Sequence, residues 1–264
     1  MMAKRLMTPF TISNLNHLVT KPSLLACATV LFLSACAQKP APSGITDPLE
    51  ANNREVHAFN LAVDRALLRP TAQGYGKAPS PIRQGISNFA NNLDMPSDVV
   101  NGLLQARPQN AAQNTLRFVV NTTVGIGGLF DPATALGLPA KTTDFGETLH
   151  VWGASEGNYV EVPFLGPSTE RDLAGKVVDF GLNPLRYILP SPEGNIATVA
   201  AAASSLGDRH RYSDTIDSVL YESADSYAQA RLLYLQNRRF ELGQTTGAAA
   251  DDAFEDPYED LYGN

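Results

Sequence analysis

Proline recurs in this chain where helices would begin. Asp47-Pro48, Ser80-Pro81, Met95-Pro96 and Arg107-Pro108 each stand ahead of a stretch whose apolar residues return every three to four positions. In the first turn of a helix a proline loses no hydrogen bond, and its fixed φ is already helical. Asp47-Pro48-Leu49-Glu50 adds an N-cap acceptor and a first-turn carboxylate. The first helix is predicted to run to about Leu68, where Arg69-Pro70 stops it, with Leu49, Val56, Phe59, Val63 and Leu67 on its apolar side. Beyond a loop at Gly74–Pro79, three short helices in series are expected from Pro81, Pro96 and Pro108. The third sets Ala112, Leu116, Val119, Val120 and Thr123 on one face and Asn110, Asn114, Arg117 and Asn121 on the other, and Gly125-Ile126-Gly127-Gly128 breaks it. Residues 148–152 and 158–164 read as a small hairpin around Gly153–Gly157, which Pro163 confines to an edge. Ser168 and Thr169 can cap a helix through about Phe180. An alanine-rich helix follows from Glu193 to Leu206, and Asp208 opens a long one ending at Gly243, with Tyr212, Ile216, Val219, Tyr227, Ala230 and Tyr234 in one stripe. The reading is a mainly α fold: a single domain of about seven amphipathic helices with at most one short β-hairpin.

The N-terminal 35 residues read as a removable export signal. Lys4, Arg5 and Lys21 flank a short apolar core, Leu24 to Leu33, that ends in Leu33-Ser34-Ala35-Cys36. Small residues directly before a cysteine mark a lipoprotein cleavage site, so Cys36 is the expected acylated first residue. A spanning helix needs about 20 apolar residues, and the core has about half that. The other cysteine, Cys27, lies inside the removed core, so Cys36 has no disulfide partner and no thiol metal site can form.

Cleavage removes three basic and no acidic residues, leaving 17 basic against 27 acidic, a balance of −10 that argues against nucleic acid as a partner. Six of those carboxylates crowd into Asp251–Asn264 with no basic residue among them, the pattern of a solvated tail. The expected organisation is a signal peptide at 1–35, an anchor linker at 36–46, one helical domain at 47–243 and an acidic disordered tail at 244–264.

Little in the sequence points to catalysis. His57, His150 and His210 can be paired on paper with Ser155 or Asp144, His150 near Ser155 and Asp144 being the best combination for a lipoprotein phospholipase. No nucleophile-elbow or zinc pattern surrounds them, so no catalytic residue, metal ligand or cofactor is assigned. Gly125–Gly128 lacks the strand and lysine of a phosphate loop, and a hinge or close packing is the better role for its glycines. Without a Walker motif the chain cannot draw on ATP itself, so any transport is passive or driven by others. The amphipathic helices admit two arrangements: stripes facing a soluble core, the commoner one, or apolar faces turned outward into a bilayer. In the first, Asn114, Arg117 and Asn121 form a solvated face. The longest apolar stretch after Cys36, Ile196–Ala203, is too short to span a membrane.

The opening of the first helix, Asp47-Pro48-Leu49-Glu50-Ala51-Asn52-Asn53-Arg54 with Phe59-Asn60 beyond it, resembles that of the MlaA (VacJ) family of outer-membrane lipoproteins. The likeness continues in family order through Gly85–Phe89, Asn92-Leu93 with Pro96, Arg117–Thr122, Gly125–Asp131, Asp144–Leu149, Tyr159–Pro163, and Gly166–Ser168 with Arg171-Asp172. His150 stands where the family has glycine, and Glu156-Gly157-Asn158 interrupts a tighter glycine turn, so the resemblance leaves the hairpin geometry open. It implies a ring-like helical lipoprotein within the outer membrane, lipid-anchored and periplasm-facing, in a Gram-negative bacterium. It also implies association with trimeric porins and removal of misplaced phospholipid from the outer leaflet to a periplasmic lipid carrier, which maintains lipid asymmetry. On that reading Asn114, Arg117 and Asn121 face a polar lipid passage, and Phe59 and Asn60 help set its closed state. A structural lipoprotein clasping a porin is the alternative. Ala37 after the cysteine, in place of an aspartate, fits delivery to the outer membrane.

Overall fold

The computed structural model describes residues 44–185 and 193–244, which fall in one compact unit, Pro40–Asn264. The signal segment, Cys36 and the acidic residues 251–264 lie outside the described residues. Nine helices and one two-stranded hairpin make up the described chain, the mainly α fold expected from the sequence, with more and differently divided helices.

Helix α1 is continuous through Glu50–Val63, a π-helical turn at Asp64–Leu68, and Arg69–Gly76. Pro70 therefore does not end it. The π turn, in which the Arg69 N–H reaches back five residues to the Asp64 carbonyl, supplies the slack that the ring needs. Helix α2 spans Ser80–Leu104 with Pro96 inside, so two of the three short helices expected here are one kinked helix. Asn183 donates to the Leu93 carbonyl at 3.0 Å, close to where the kink disturbs the hydrogen-bond ladder. Helix α3, Pro108–Thr123, and the short α4, Pro132–Ala135, follow.

The expected first hairpin arm is instead helix α5, Phe145–Val151, because Asp144 accepts a hydrogen bond from the Glu147 N–H at 2.7 Å and caps it. The hairpin forms one step later, β1 (Tyr159–Val162) against β2 (Gly166–Thr169), antiparallel with Tyr159 opposite Thr169, and Pro163 falls in the turn. Thr169 caps α6, Glu170–Leu182, as its position suggests. Helix α7 is Glu193–Arg211. The long final helix is in fact two: α8, Ser213–Asp217 continuing as a π turn Ser218–Glu222, and α9, Ser226–Glu241, which Asp225 caps anew.

The interior is the reverse of a water-soluble bundle. Among the described residues sixteen buried side chains are polar or charged and nine are hydrophobic, five of those being alanine. Helix α1 buries Asn53, His57 and Asp64, and α3 buries Ala111, Asn114, Arg117 and Asn121. Leu116 and Val119 of α3 stand about half exposed, at 49% and 50%. Of the two arrangements open from the sequence, the apolar faces point out. Among the described residues one apolar cluster of fully buried side chains forms, Tyr159, Tyr227 and Leu235, where the hairpin meets α9. Elsewhere helices meet through small residues: a Cβ on Gly175 of α6 would lie 2.3 Å from the Gly146 nitrogen of α5. Close backbone approach through small side chains is how helices associate where burial of apolar surface offers no drive. No described helix is long and apolar enough to cross a membrane.

Candidate functional site, a charged cavity

The turn after α3 determines what sits beneath that helix. Gly125 has no room for a Cβ, which would meet the Asn121 and Phe130 carbonyl oxygens at 2.4 Å, and Gly128 at φ +94° lies against Asn92. Of the two roles open from the sequence, hinge or close packing, Gly125 and Gly128 take the second, while a Cβ on Gly127 would meet nothing within 4 Å. Their turn returns the chain so that Asp131 lies under α3, where it both caps α4 and receives Arg117.

Arg117 is 3% exposed. It donates to both carboxylate oxygens of Asp131 at 3.2 and 3.1 Å, to Thr134 Oγ1 at 3.0 Å and to the Leu138 carbonyl, while its Nε has no acceptor. Asn121 donates to Asp131 at 2.9 Å and accepts from the Ala133 N–H at 3.1 Å. Burial alone would raise the Asp131 carboxyl, but hydrogen bonds from Thr134, Asn121 and Arg117 hold it below its ordinary value. Asn114 is engaged differently, exchanging two hydrogen bonds with the Lys141 backbone at 2.7 and 3.1 Å. The three side chains do not form a solvated face. They tie residues 131–141 to α3.

Arg117, Asn121, Asp131 and Thr134 form one wall of a cavity of about 670 Å³, within the size range of small-molecule sites. The rest of the lining comes from α2, with Asn91, Asp94, Ser97 and Asp98 around Pro96, and from α6, with Lys176, Asp179 and Asn183. Asp98 accepts from the Thr143 N–H at 3.1 Å, and Asp179 from Asn101 Nδ2 at 2.7 Å and the Phe145 N–H at 2.8 Å. Desolvation and neighbouring carboxylates raise both, Asp98 to about 7. Burial lowers Lys176. Sequence reasoning missed this acidic wall. Its trace was there in the i, i+4 pair Asp94 and Asp98 and the i, i+3, i+7 set Lys176, Asp179 and Asn183, each on one face of its helix.

Phe59 and Asn60 lie elsewhere. Asn60 donates to the Val162 carbonyl at 3.0 Å and accepts from the Phe164 N–H at 2.8 Å, holding Phe164 at φ +65°, and the Phe59 and Phe164 rings meet edge to face at 5.2 Å. The pair clamps the hairpin turn to α1 and lines no part of the charged cavity. Asn60 borders a separate space of about 200 Å³.

His150, Ser155 and Asp144 make no hydrogen bond with one another, and Asp144 instead pairs with Arg238 at 2.7 Å. A serine, a histidine and a glutamate do line up at another place: Ser226 Oγ is 3.0 Å from His57 Nε2, whose Nδ1 is 3.4 Å from Glu161. Ser226 opens α9, yet the Ala228 N–H that an oxyanion would need already donates to Asp225 at 3.0 Å. Glu161 also accepts from Tyr159 and Asn60. The trio fastens α1, β1 and α9 together.

The MlaA lipoprotein model matches residues 45–241, nearly the whole described chain. The chain belongs to the MlaA lipoprotein family. It is 34% identical to the intermembrane phospholipid transport system lipoprotein MlaA of Escherichia coli over 223 residues, 83% of this chain and 87% of that one. Its identity to the MlaA of Haemophilus influenzae is 32%, covering 84% and 91%. An uncharacterized protein of Rickettsia felis is 35% identical over 71% of this chain and 74% of its own. A solved structure from work on the maintenance of bacterial outer-membrane lipid asymmetry superposes with a TM-score of 0.62 at 31% identity, covering 75% of this chain and 99% of that one. MlaA-family membership accounts for the shared segments through α1 to α9.

Proposed function

We propose that this protein takes part in phospholipid transport that maintains outer-membrane lipid asymmetry, by giving phospholipid head groups a polar route out of the outer leaflet. One observation carries the reading: an MlaA-family chain with a charged cavity inside and apolar helix faces outside. Side chains such as Leu116 and Val119 can rest in acyl chains while backbone groups remain satisfied within the helices. Charge in hydrocarbon costs about 2.5–3.5 kcal/mol per group even on lenient scales, and a polar cavity lowers that barrier without chemistry. Lipid then passes to a periplasmic carrier, and a trimeric porin holds the assembly. Cys36, acylated, anchors and sorts the chain, with acyl chains contributing about 0.8 kcal/mol per buried methylene.

The test is outer-leaflet phospholipid in cells whose own copy is deleted. Wild type should restore a low level and Arg117→Ala should not. Deleting Phe59 and Asn60, which releases the hairpin turn from α1, should raise or misdirect lipid flow. Equal restoration by all three would end the passage reading. Cys36→Ser should leave the protein folded but absent from outer-membrane fractions. Purified protein incubated with labelled phospholipid should return it intact, and released fatty acid would favour a hydrolase.

A further inference from the structure

The charges on the cavity wall are unbalanced in a way that structure alone does not require. Arg117 is answered by Asp131 at 3.1 Å, which leaves Asp98 and Asp179 facing the same space with no ion pair to either among the described residues. The donors to both are neutral: the Thr143 N–H at 3.1 Å for Asp98, and Asn101 Nδ2, the Phe145 N–H and Ser97 for Asp179. Two partly buried carboxylates at one site repel each other and each loses hydration, which is why both sit above their ordinary range. A cation entering the cavity would relieve that cost. The described residues contain no group of three or more His, Cys, Asp or Glu placed to hold a metal ion, and a cavity of about 670 Å³ has room for an organic ammonium. In the same cavity the buried Arg117 Nε has no acceptor, and Lys176 brings a second positive charge. Carboxylates with cations beside them match a group carrying both an ammonium and a phosphodiester.

We infer that the cavity selects phospholipids whose head group carries a primary ammonium, with Asp98 and Asp179 receiving the ammonium while Arg117 and Lys176 face the phosphodiester. This rests on the lipid-passage reading above and names its substrate class. Lipids with an uncharged glycerol head group leave the two carboxylates uncompensated and bring a net negative charge into an acidic space, so they bind less well.

The test uses the full-length lipidated protein in mild detergent, titrated with phosphatidylethanolamine and with phosphatidylglycerol of identical acyl chains, with occupancy read by native mass spectrometry. Wild type should prefer phosphatidylethanolamine by about tenfold, the scale of one partly screened ion pair. Asp98→Asn keeps an acceptor for the Thr143 N–H and removes a buried charge, so it folds, and the preference should fall to within about threefold. Equal affinity of wild type for the two lipids would overturn the selectivity while leaving the passage intact. An undiminished preference in D98N would overturn the role of Asp98. Binding of neither lipid would overturn the passage reading itself, and this inference with it. Glycerophosphoethanolamine, which has the same head group without acyl chains, should compete weakly. Competition at the lipid's own concentration would point to a soluble ligand and overturn the assignment to lipid.

Discussion

Arg117 is held by four hydrogen bonds to two side chains and one carbonyl, all from the segment that α3 must keep in place. Replacing it by alanine leaves the partly exposed Asp131 without its cation and the Leu138 carbonyl without its donor, and losing hydrogen bonds to a charged group costs about 1.5–3 kcal/mol. Arg117→Ala should therefore lower the melting temperature by roughly 3–12 °C, read by circular dichroism in detergent. Asp98 behaves in the opposite sense. With its folded value near 7 and its ordinary value at 3.8, the folded chain keeps a proton there that the unfolded chain releases. Its contribution is fully favourable below 3.8, declines as pH rises, and is lost above about 7. Desolvation is the main cause, Asp94, Asp144 and Asp179 press in the same direction, and Lys176 lines the cavity with Asp94 and Asp179. Asp98→Asn should thus gain stability over wild type at pH 8 relative to pH 5, on the order of 2 kcal/mol, measured by denaturant titration at both values. Arg117 and Asn121 could be picked from the sequence because their spacing puts them on one face of α3. Asp98 and Asp179 could not, since 80 residues separate them and only the crossing of α2 and α6 gives them a shared space.

Proline marks a helix start as expected at Pro81 and Pro108. At Pro48 the helix begins two residues later, at Glu50 with Leu49 as its N-cap, because Asp47 accepts from Asn53, Tyr227 and Arg231 and does not cap it. At Pro70 and Pro96 the helix runs on, and at Pro70 the reason is tertiary. Arg209 reaches both oxygens of Asp64 at 2.9 Å and Asp217 at 2.6 Å, and Tyr221 donates to Asp64 at 2.6 Å, so the two π turns are clasped to each other. That clasp holds the widened turn that Pro70 needs, and no local pattern in residues 64–70 announces it. The hairpin was placed one segment early because the alternation in residues 148–152 suits a strand on paper, while the Asp144 cap makes it helix. Small residues decide how close the helices come. Gly175→Ala should separate α6 from α5, because the added Cβ meets backbone that cannot yield, and the loss should exceed about 3 kcal/mol. Gly74→Ala in α1, where a Cβ meets nothing within 4 Å, should instead stabilise slightly. Parallel denaturant curves of the two variants check the contrast.

For the molecule as a whole, periodicity revealed the helices and their two faces but not which face is inside. An amphipathic stripe is the same string of residues whether it packs on a core or on acyl chains, and here the family resemblance, with the buried Asn114, Arg117 and Asn121, decides what periodicity leaves open. The hairpin and α9 are the part that looks like an ordinary protein, with tyrosines packed edge to face at 5.9 Å around a small apolar centre. The alanines and polar side chains that fill the rest of the interior have a calorimetric consequence. Unfolding an ordinary domain hydrates a large apolar interior and raises the heat capacity by about 12–15 cal/mol/K per residue. Here few large apolar side chains are fully buried and many already face outward, so unfolding in detergent uncovers a larger share of amides and charges, whose hydration lowers heat capacity. The increment per residue should fall well below the usual range, giving a stability curve nearly straight in temperature, and scanning calorimetry over several detergents would measure it.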